Sequence, residues 1–460
     1  MFTAGQIVEI VRGELITGNI NQKIEDFSTD TRTINKGEMY IAIKGENFDG
    51  NEYLEDALNH GAIGAMINKD IDSEIKAKYK GKIIIKVHDS LEALQELAKI
   101  KRKQYDIPVI AITGSAGKTS TKDLIAKILE SKYKVLKTEG NLNNHIGVPL
   151  TLLKLKDHTA MVIEMGMNKF GEIRTLTNIA KPTVAVITNI GTSHIGNLGS
   201  RENILKAKLE ILEGLPEEGI ILINNDNDLL HNWYEQNKQR NIKTFGIEND
   251  SNFLGYDIKI SPGSSIFNID KNIVIIPVGG MHLVYNAICA YGIGKILGVD
   301  TEDIIQSIKR VQLPKMRMQI EKINDNVTII NDAYNANFEA VKSAIEYLKI
   351  AKGKRKIAVL ANMLELGDYS KELHRKVGEE IVEANIDILI TIGKEAQHIA
   401  ERAMELNMNN RNIFVLDNNL QAANIVNNIL QKDDVLLLKG SRGMQLEEVL
   451  GEIKRRRGLT

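Results

Sequence analysis

The chain has 460 residues, 43% of them hydrophobic and 26% charged, a globular composition whose length implies about three domains. Lys and Arg total 59 against 60 Asp and Glu, and the net charge of -1 excludes the strongly basic balance of a nucleic-acid binder and any strong pull toward an anionic lipid surface. The single cysteine, Cys289, excludes an internal disulfide and a multi-thiolate metal site, which suits a reducing cytoplasm, and its apolar helical setting "NAICAYGIG" suits a buried packing role.

The first residues, "MFTAGQIVEIVRGE", are amphipathic and lack a basic segment followed by a long apolar stretch, so no signal peptide is read. No window reaches the roughly 18 uninterrupted apolar residues of a membrane span. Residues 1–106 mix short strands such as "MYIAIKG" with helices such as "EYLEDALNHGA" and end in the charged helix of "SLEALQELAKIKRKQYDI". A buried-strand pattern begins after Pro108, which predicts a domain boundary between Tyr105 and Pro108.

From Val109 the runs "VIAIT", "MVIEM", "TVAVITNI" and "GIILIN" are apolar on both faces, as parallel strands covered by crossover helices must be. Residues 107–313 therefore read as an α/β nucleotide-binding domain with a parallel sheet. It ends in the helices "MHLVYNAICAYGIGKIL" and "TEDIIQSIKRV" and the linker "QLPKMRMQ". Residues 314–460 repeat the alternation in "VTIIND", "KIAVLANM", "DILITIG", "NIFVLD" and "DVLLLKGS", predicting a Rossmann-like domain without the glycine fingerprint. The Asn-rich "ELNMNNRNIF" reads as a loop.

The stretch "VIAITGSAGKTSTKDLIAKIL" is a strand, a glycine turn and a helix. Only Ser115 and Ala116 separate Gly114 from Gly117, where the usual P-loop pattern has four residues, yet the physics of a phosphate cradle is intact. Glycines permit a tight turn, and backbone N–H groups from Gly114 to Ser120 open onto a helix N-terminus. Lys118 then neutralises the β- and γ-phosphates of ATP, and the Thr119 hydroxyl reaches Mg²⁺. Glu164 interrupts a buried strand at its end, a costly place for a carboxylate unless it is paired or metal-bound. His194 follows the neighbouring strand, at the end where ligands bind in open α/β sheets. Lys206 and Lys208 lie on a basic helical stretch, "SRENILKAKLEILEGL", where spacing alone makes a solvated lysine the default for each.

The P-loop, Glu164, "NIGTSH" and "KAKLE" occur in the order found in the Mur ligases, the ATP-dependent amide-bond-forming ligases of bacterial cell-wall precursor synthesis, and the chain resembles that family. The stretches "STDTR", "GENFDG", "EGNLNNHIGVPLTLL", "EMGMNKFGEI", "DAYNAN" and "NMLELGD" extend the resemblance over nearly the whole length. They imply UDP-N-acetylmuramoyl-tripeptide and D-alanyl-D-alanine as substrates. The resemblance further implies an N-terminal domain for the uridine nucleotide, a central ATPase domain, and a C-terminal domain that closes over the site. ATP would phosphorylate the tripeptide carboxylate and the dipeptide amine would attack the acyl phosphate.

By the same resemblance, Thr119 and Glu164 would bind one Mg²⁺, and His194 a second, bridged by a carbamylated Lys208. Asn286 would face the adenine, with Arg317, Asp332 and Asn335 completing the nucleotide site. Asn143 and Asn144 would line the UDP-sugar side, as would Ser28, Asp30, Arg32 and Asp49. Lys439, Ser441 and Arg442 in "KGSRGM" would meet substrate or phosphate. Two positions depart from the family pattern: Phe338 where proline is usual and Asn51 where histidine is usual. Alternatives in view are another Mur-type or folylpolyglutamate-type ligase, a P-loop switch module that turns over ATP without an acceptor, and a small-molecule kinase. The chain is expected to act as a cytoplasmic monomer.

Overall fold

The computed structural model describes residues 1–45, 47–312 and 315–459. The predicted boundary between residues 313 and 314 lies outside the described residues, as does Glu46 of "GENFDG".

The apolar runs from Val109 form a seven-stranded sheet whose paired neighbours are all parallel. Its central strand, Val109–Thr113, lies between Ala160–Glu164 and Val184–Ile187, and all three are buried along their length. At about 1.5–3 kcal/mol for each large apolar side chain removed from water, these strands anchor the domain. One face of the sheet packs the helix Lys118–Leu129 against Met281–Ile296, through Ile110, Ile112, Leu124, Ile128, Val284 and Ile288. An antiparallel three-stranded sheet, Tyr256–Ser261, Ser264–Ile269 and Asn272–Ile276, flanks this layer.

Towards the N-terminus a five-stranded sheet runs in the order Glu14–Thr17, Ile83–Lys86, Gly64–Ile67, Glu38–Ile41, Asp26–Ser28, with only its first pair antiparallel. The charged helix that follows spans Ser90–Lys103 and is capped by Asp89, whose carboxylate accepts from the N–H groups of Leu91 and Glu92. It is tied to the central sheet's layer: the Arg102 guanidinium donates to the carbonyls of Ala180 (2.8 Å) and Lys181 (3.2 Å) at the end of the helix Glu172–Ala180, where unpaired carbonyls favour a cation.

The C-terminal strands form a six-stranded sheet in the order Gln319–Ile323, Val327–Asn331, Val435–Lys439, Lys356–Ala361, Ile388–Ile392, Ile413–Leu416. All its pairs are parallel except the first. The last strand in sequence inserts beside the first parallel one, which brings Lys439 and the "DAYNAN" turn to one sheet end. Most of "ELNMNNRNIF" is indeed a turn, with a short 3-10 segment over Asn410–Asn412.

Candidate active site

Gly114 and Gly117 make the P-loop turn with φ of 153° and 80°, values that side chains rarely adopt. A Cβ on Gly114 would stand 1.9 Å from Thr188 Oγ1, and one on Gly117 would stand 2.7 Å from Asn286 Oδ1. The helix then starts at Lys118 with no side chain capping it, so its first N–H groups face the cavity free for an anion. A second turn, after Val184–Ile187, clamps the loop: the N–H of Ala116 donates to Asn189 Oδ1 (2.9 Å), and the Thr188 hydroxyl donates to the Ala116 carbonyl (2.7 Å). Asn189 opens the "NIGTSH" stretch, but sequence reasoning singled out only His194 there and missed it.

Lys118 is partly open to the cavity and donates to the Gly114 carbonyl at 2.7 Å. Burial pulls its pKa down, opposed by the nearby Glu164 carboxylate. Glu164 is 2% exposed; Oε1 accepts from Asn143 Nδ2 at 2.8 Å, and Oε2 has no partner. It forms no ion pair among the described residues, so the salt-bridged alternative for this strand residue is not what the structure holds. A buried carboxylate with one oxygen unsatisfied is a fit for a cation, and the Thr119 hydroxyl sits on the same P-loop.

These groups line one cavity of about 570 Å³, whose walls come from both the central and the C-terminal sheets. Gly114 is absent from that lining, while Ser115 through Ser120, Asn143, Asn144, Glu164, His194, Asn286, Arg317, Asp332 and Asn335 contribute to it, as do Lys439, Ser441 and Arg442. The Arg317 guanidinium donates to Thr119 Oγ1 at 3.0 Å and stacks 4.2 Å from the Tyr334 ring centroid. Asp332 accepts from the Met318 N–H at 3.0 Å and pairs with Lys439 at 2.5 Å. Lys439 is 2% exposed and also donates to the Asn335 carbonyl, so it braces the Asp332–Asn335 side of the cavity as an internal cation. Arg442 pairs with Glu447 at 2.5 Å, and the Ser441 hydroxyl accepts from the Leu364 N–H at 2.9 Å. Asn144 is a turn residue: its Oδ1 accepts from the N–H groups of Ile146 and Gly147.

Lys206 is exposed, in line with the solvated default, but Lys208 departs from it at 1% exposed. Burial, and then the charge of Lys118, drives its pKa well below the ordinary lysine value. Lys208 is not among the residues that line the cavity. His194 adopts a left-handed backbone, φ 63°, and its Nδ1 lies 2.6 Å from Glu365 Oε2 of the C-terminal domain. Asn337 was also missed: its Nδ2 donates to Ser193 Oγ at 2.5 Å while its Oδ1 caps the helix Phe338–Ile350. Phe338 is the first residue of that helix, a position that suits proline equally, which accounts for the departure there.

Ser28, Asp30, Arg32 and Asp49 line no part of this cavity. The Arg32 guanidinium pairs bidentately with Asp30, lowering its pKa to about 2, and Ser28 Oγ accepts from the Asp30 N–H. Asp49 pairs with Lys69 at 2.7 Å and accepts from Asn51, and these contacts hold its carboxyl well below the usual range. Asn51 also bonds Asn68, so this departure from histidine is absorbed in a local network.

Three family models match: Mur ligase family, catalytic domain, over residues 23–102; Mur ligase middle domain over 112–294; and Mur ligase, glutamate ligase domain, over 316–442. The chain is 38% identical to UDP-N-acetylmuramoyl-tripeptide--D-alanyl-D-alanine ligase of Bacillus subtilis, covering 98% of each chain. Among solved structures, MurF of Acinetobacter baumannii superposes with a TM-score of 0.89 at 30% identity, covering 99% of each chain. MurF ligase of Thermotoga maritima in complex with ADP superposes at 0.80 with 28% identity, covering 94% of this chain and 97% of that one. With a P-loop sheet in the middle, a second α/β sheet facing it across the cavity, and matches along nearly its whole length, this chain belongs to the Mur ligase family.

Proposed function

We infer that the chain is an ATP-dependent ligase that joins D-alanyl-D-alanine to UDP-N-acetylmuramoyl-tripeptide in peptidoglycan precursor synthesis. The observation that carries this reading is the two-sided cavity: Lys118 and the unpaired Glu164 oxygen on one wall, Arg317 and Asp332 on the other, in a chain so similar to a ligase of that reaction. A carboxylate oxygen of the tripeptide attacks the γ-phosphorus of ATP and ADP leaves. The dipeptide amine then attacks the acyl phosphate, and the tetrahedral intermediate expels inorganic phosphate with loss of a proton from nitrogen. Lys118 and the uncapped N–H groups at the start of its helix hold the phosphates as negative oxygens converge. Closure of the Arg317 and Asp332 wall keeps water from the acyl phosphate.

Magnesium, when bound with ATP, supplies positive charge at the transferring phosphoryl group. Thr119 and Glu164 would hold one ion, and His194 and Lys208 a second. For Lys208 this requires a changed side chain, since a free ammonium repels a metal. Burial supports the change: it favours the neutral amine over the ammonium, and the neutral amine is the form that adds carbon dioxide to become an anionic carbamate with loss of one proton. Asn286 faces the adenine, and Asn335 completes the nucleotide wall with Arg317 and Asp332. Asn143 and Asn144 lie toward the sugar nucleotide, Ser28, Asp30, Arg32 and Asp49 toward its uridine end, and Lys439, Ser441 and Arg442 toward the acceptor side. In this reading residues 1–106, 107–313 and 314–460 are the three domains, and the enzyme works as a monomer in the cytoplasm. No helix among the described residues is long and apolar enough to cross a membrane.

The test is phosphate release with MgATP, omitting each substrate in turn, with the product followed by mass. Release that requires both, with a product heavier by the dipeptide, supports the ligase. Turnover indifferent to the acceptor overturns it in favour of a switch module, and a phosphorylated product without free phosphate overturns it in favour of a kinase.

A further inference from the structure

We propose that Glu365 is a positioning residue: the Glu365–Tyr369 turn of the C-terminal domain seats on the His194–Gly199 segment of the central domain and sets the His194 ring for metal binding. The inference rests on the ligase reading above.

Three contacts join the two segments. Glu365 Oε2 lies 2.6 Å from His194 Nδ1, the Gly196 N–H donates to the Glu365 carbonyl at 3.1 Å, and the Tyr369 hydroxyl donates to the Gly199 carbonyl at 2.5 Å. His194 and Glu365 both sit in the left-handed region, φ 63° and 64°, which non-glycine residues rarely occupy and which persists only where the surroundings impose it. Between them the backbones touch: a Cβ on Gly196 would stand 2.5 Å from the Gly367 nitrogen. The turn therefore fits only against a glycine at position 196.

The chemistry follows from which ring nitrogen is engaged. A histidine that ligates a metal is generally oriented by a carboxylate or carbonyl on its other nitrogen. With Nδ1 facing Glu365, Nε2 is the nitrogen left to offer an electron pair. The Nδ1–Oε2 pair is within ion-pair distance, although its alignment falls short of a full hydrogen bond. Because Glu365 arrives with the C-terminal domain, the second metal position is completed only when that domain docks.

The experiment compares the full-length enzyme with Glu365→Ala, Glu365→Gln and Gly196→Ala. It measures steady-state kinetics, Mn²⁺ binding by electron paramagnetic resonance with a non-hydrolysable ATP analogue, and thermal melting. Glu365→Ala is expected to lower kcat about tenfold to a hundredfold and to weaken Mn²⁺ binding by about tenfold, with KM for ATP changed less than about threefold and melting unmoved. Glu365→Gln, which keeps a polar partner for the ring, should recover part of both. Gly196→Ala should reproduce the kcat loss with Glu365 still present. Wild-type turnover and Mn²⁺ affinity in Glu365→Ala would overturn the proposal. So would loss of activity that tracks loss of melting temperature while Mn²⁺ binding is unchanged, and so would wild-type turnover in Gly196→Ala. A wild-type enzyme that makes no dipeptide adduct sinks the ligase reading instead, and the Mn²⁺ measurement still decides the role of Glu365.

Discussion

Arg317 donates to Thr119 Oγ1 over 3.0 Å, across 198 residues of chain, and so joins the start of the C-terminal domain to the P-loop helix. The same guanidinium stacks on Tyr334, which fixes its plane. In the proposed ligase an arginine so placed would bring a fixed positive charge to the phosphates as the two domains meet. Arg317→Ala should lower kcat by about a hundredfold or more, the scale for removing one electrostatic contact in a transition state, while tripeptide binding by calorimetry stays within a factor of about three. Unchanged kcat would remove Arg317 from the nucleotide site.

Lys118 is the only lysine of the P-loop itself, its ammonium donates to the Gly114 carbonyl, and the proposed reading gives it the phosphates. Lys118→Met keeps the stem and deletes the charge. Turnover is expected to fall by about a thousandfold, with the melting temperature close to wild type. An active Lys118→Met enzyme would refute the phosphate role.

For Gly117→Ala, two penalties coincide: φ of 80° and a Cβ 2.7 Å from Asn286 Oδ1. The left-handed backbone costs about 1–2 kcal/mol for an alanine, and the displaced Asn286 would disturb the adenine wall. Chemical denaturation should show a loss of that order, and ATP affinity should drop alongside. Wild-type ATP affinity in this variant would separate Asn286 from the nucleotide.

Lys208 is buried beside the charge of Lys118 with its pKa driven down. Lys208→Ala should lose most activity and regain part of it with short carboxylic acids, which replace the missing anion. Carbon-13 bicarbonate should give the wild-type protein a carbamate resonance that the variant lacks. Full activity in the unrescued variant, or no such resonance in the wild type, would count against carbamylation.

Away from the site, Glu405 pairs with Arg375 and Arg402 and so ties the helices Ser370–Glu383 and Gln397–Glu405 together. The hydrogen bonds from Arg375 and then Arg402 lower its pKa from 4.5 to about 2. A carboxylate whose folded pKa is depressed adds stability above its unfolded pKa, and that stability is lost as pH falls from about 4.5 toward about 2. The difference in urea midpoint between wild type and Glu405→Gln should therefore be visible near neutral pH and shrink steadily below about pH 4.5. A difference that stays constant down to about pH 3 would show that charge is not what the pair contributes.

Local pattern was enough to reveal the elements and the P-loop side of the candidate site. Strands such as Val109–Thr113 and Ala160–Glu164 declare themselves because a parallel strand covered on both faces must be apolar throughout, and the same rule marks Glu164 as an intruder in its strand. The glycine turn before Lys118 is equally local, since only glycine reaches those backbone angles cheaply. Pairing between distant segments left no such mark. Helical spacing makes Lys206 and Lys208 alike, and only the packing of the helix Arg201–Leu209 against its neighbours leaves one in water and buries the other. Asn189, Asn337 and Glu365 lie in the stretches "NIGTSH", "DAYNAN" and "NMLELGD", but nothing local says what they touch, and Lys439 stands at the end of a strand that could have faced solvent. Their roles come from which turn the chain's topology lays against the P-loop and His194. Sequence periodicity determined what each segment would become because burial acts residue by residue. The tertiary structure alone decided which charges meet, because the free energy of a buried charge depends on partners drawn from anywhere in the chain.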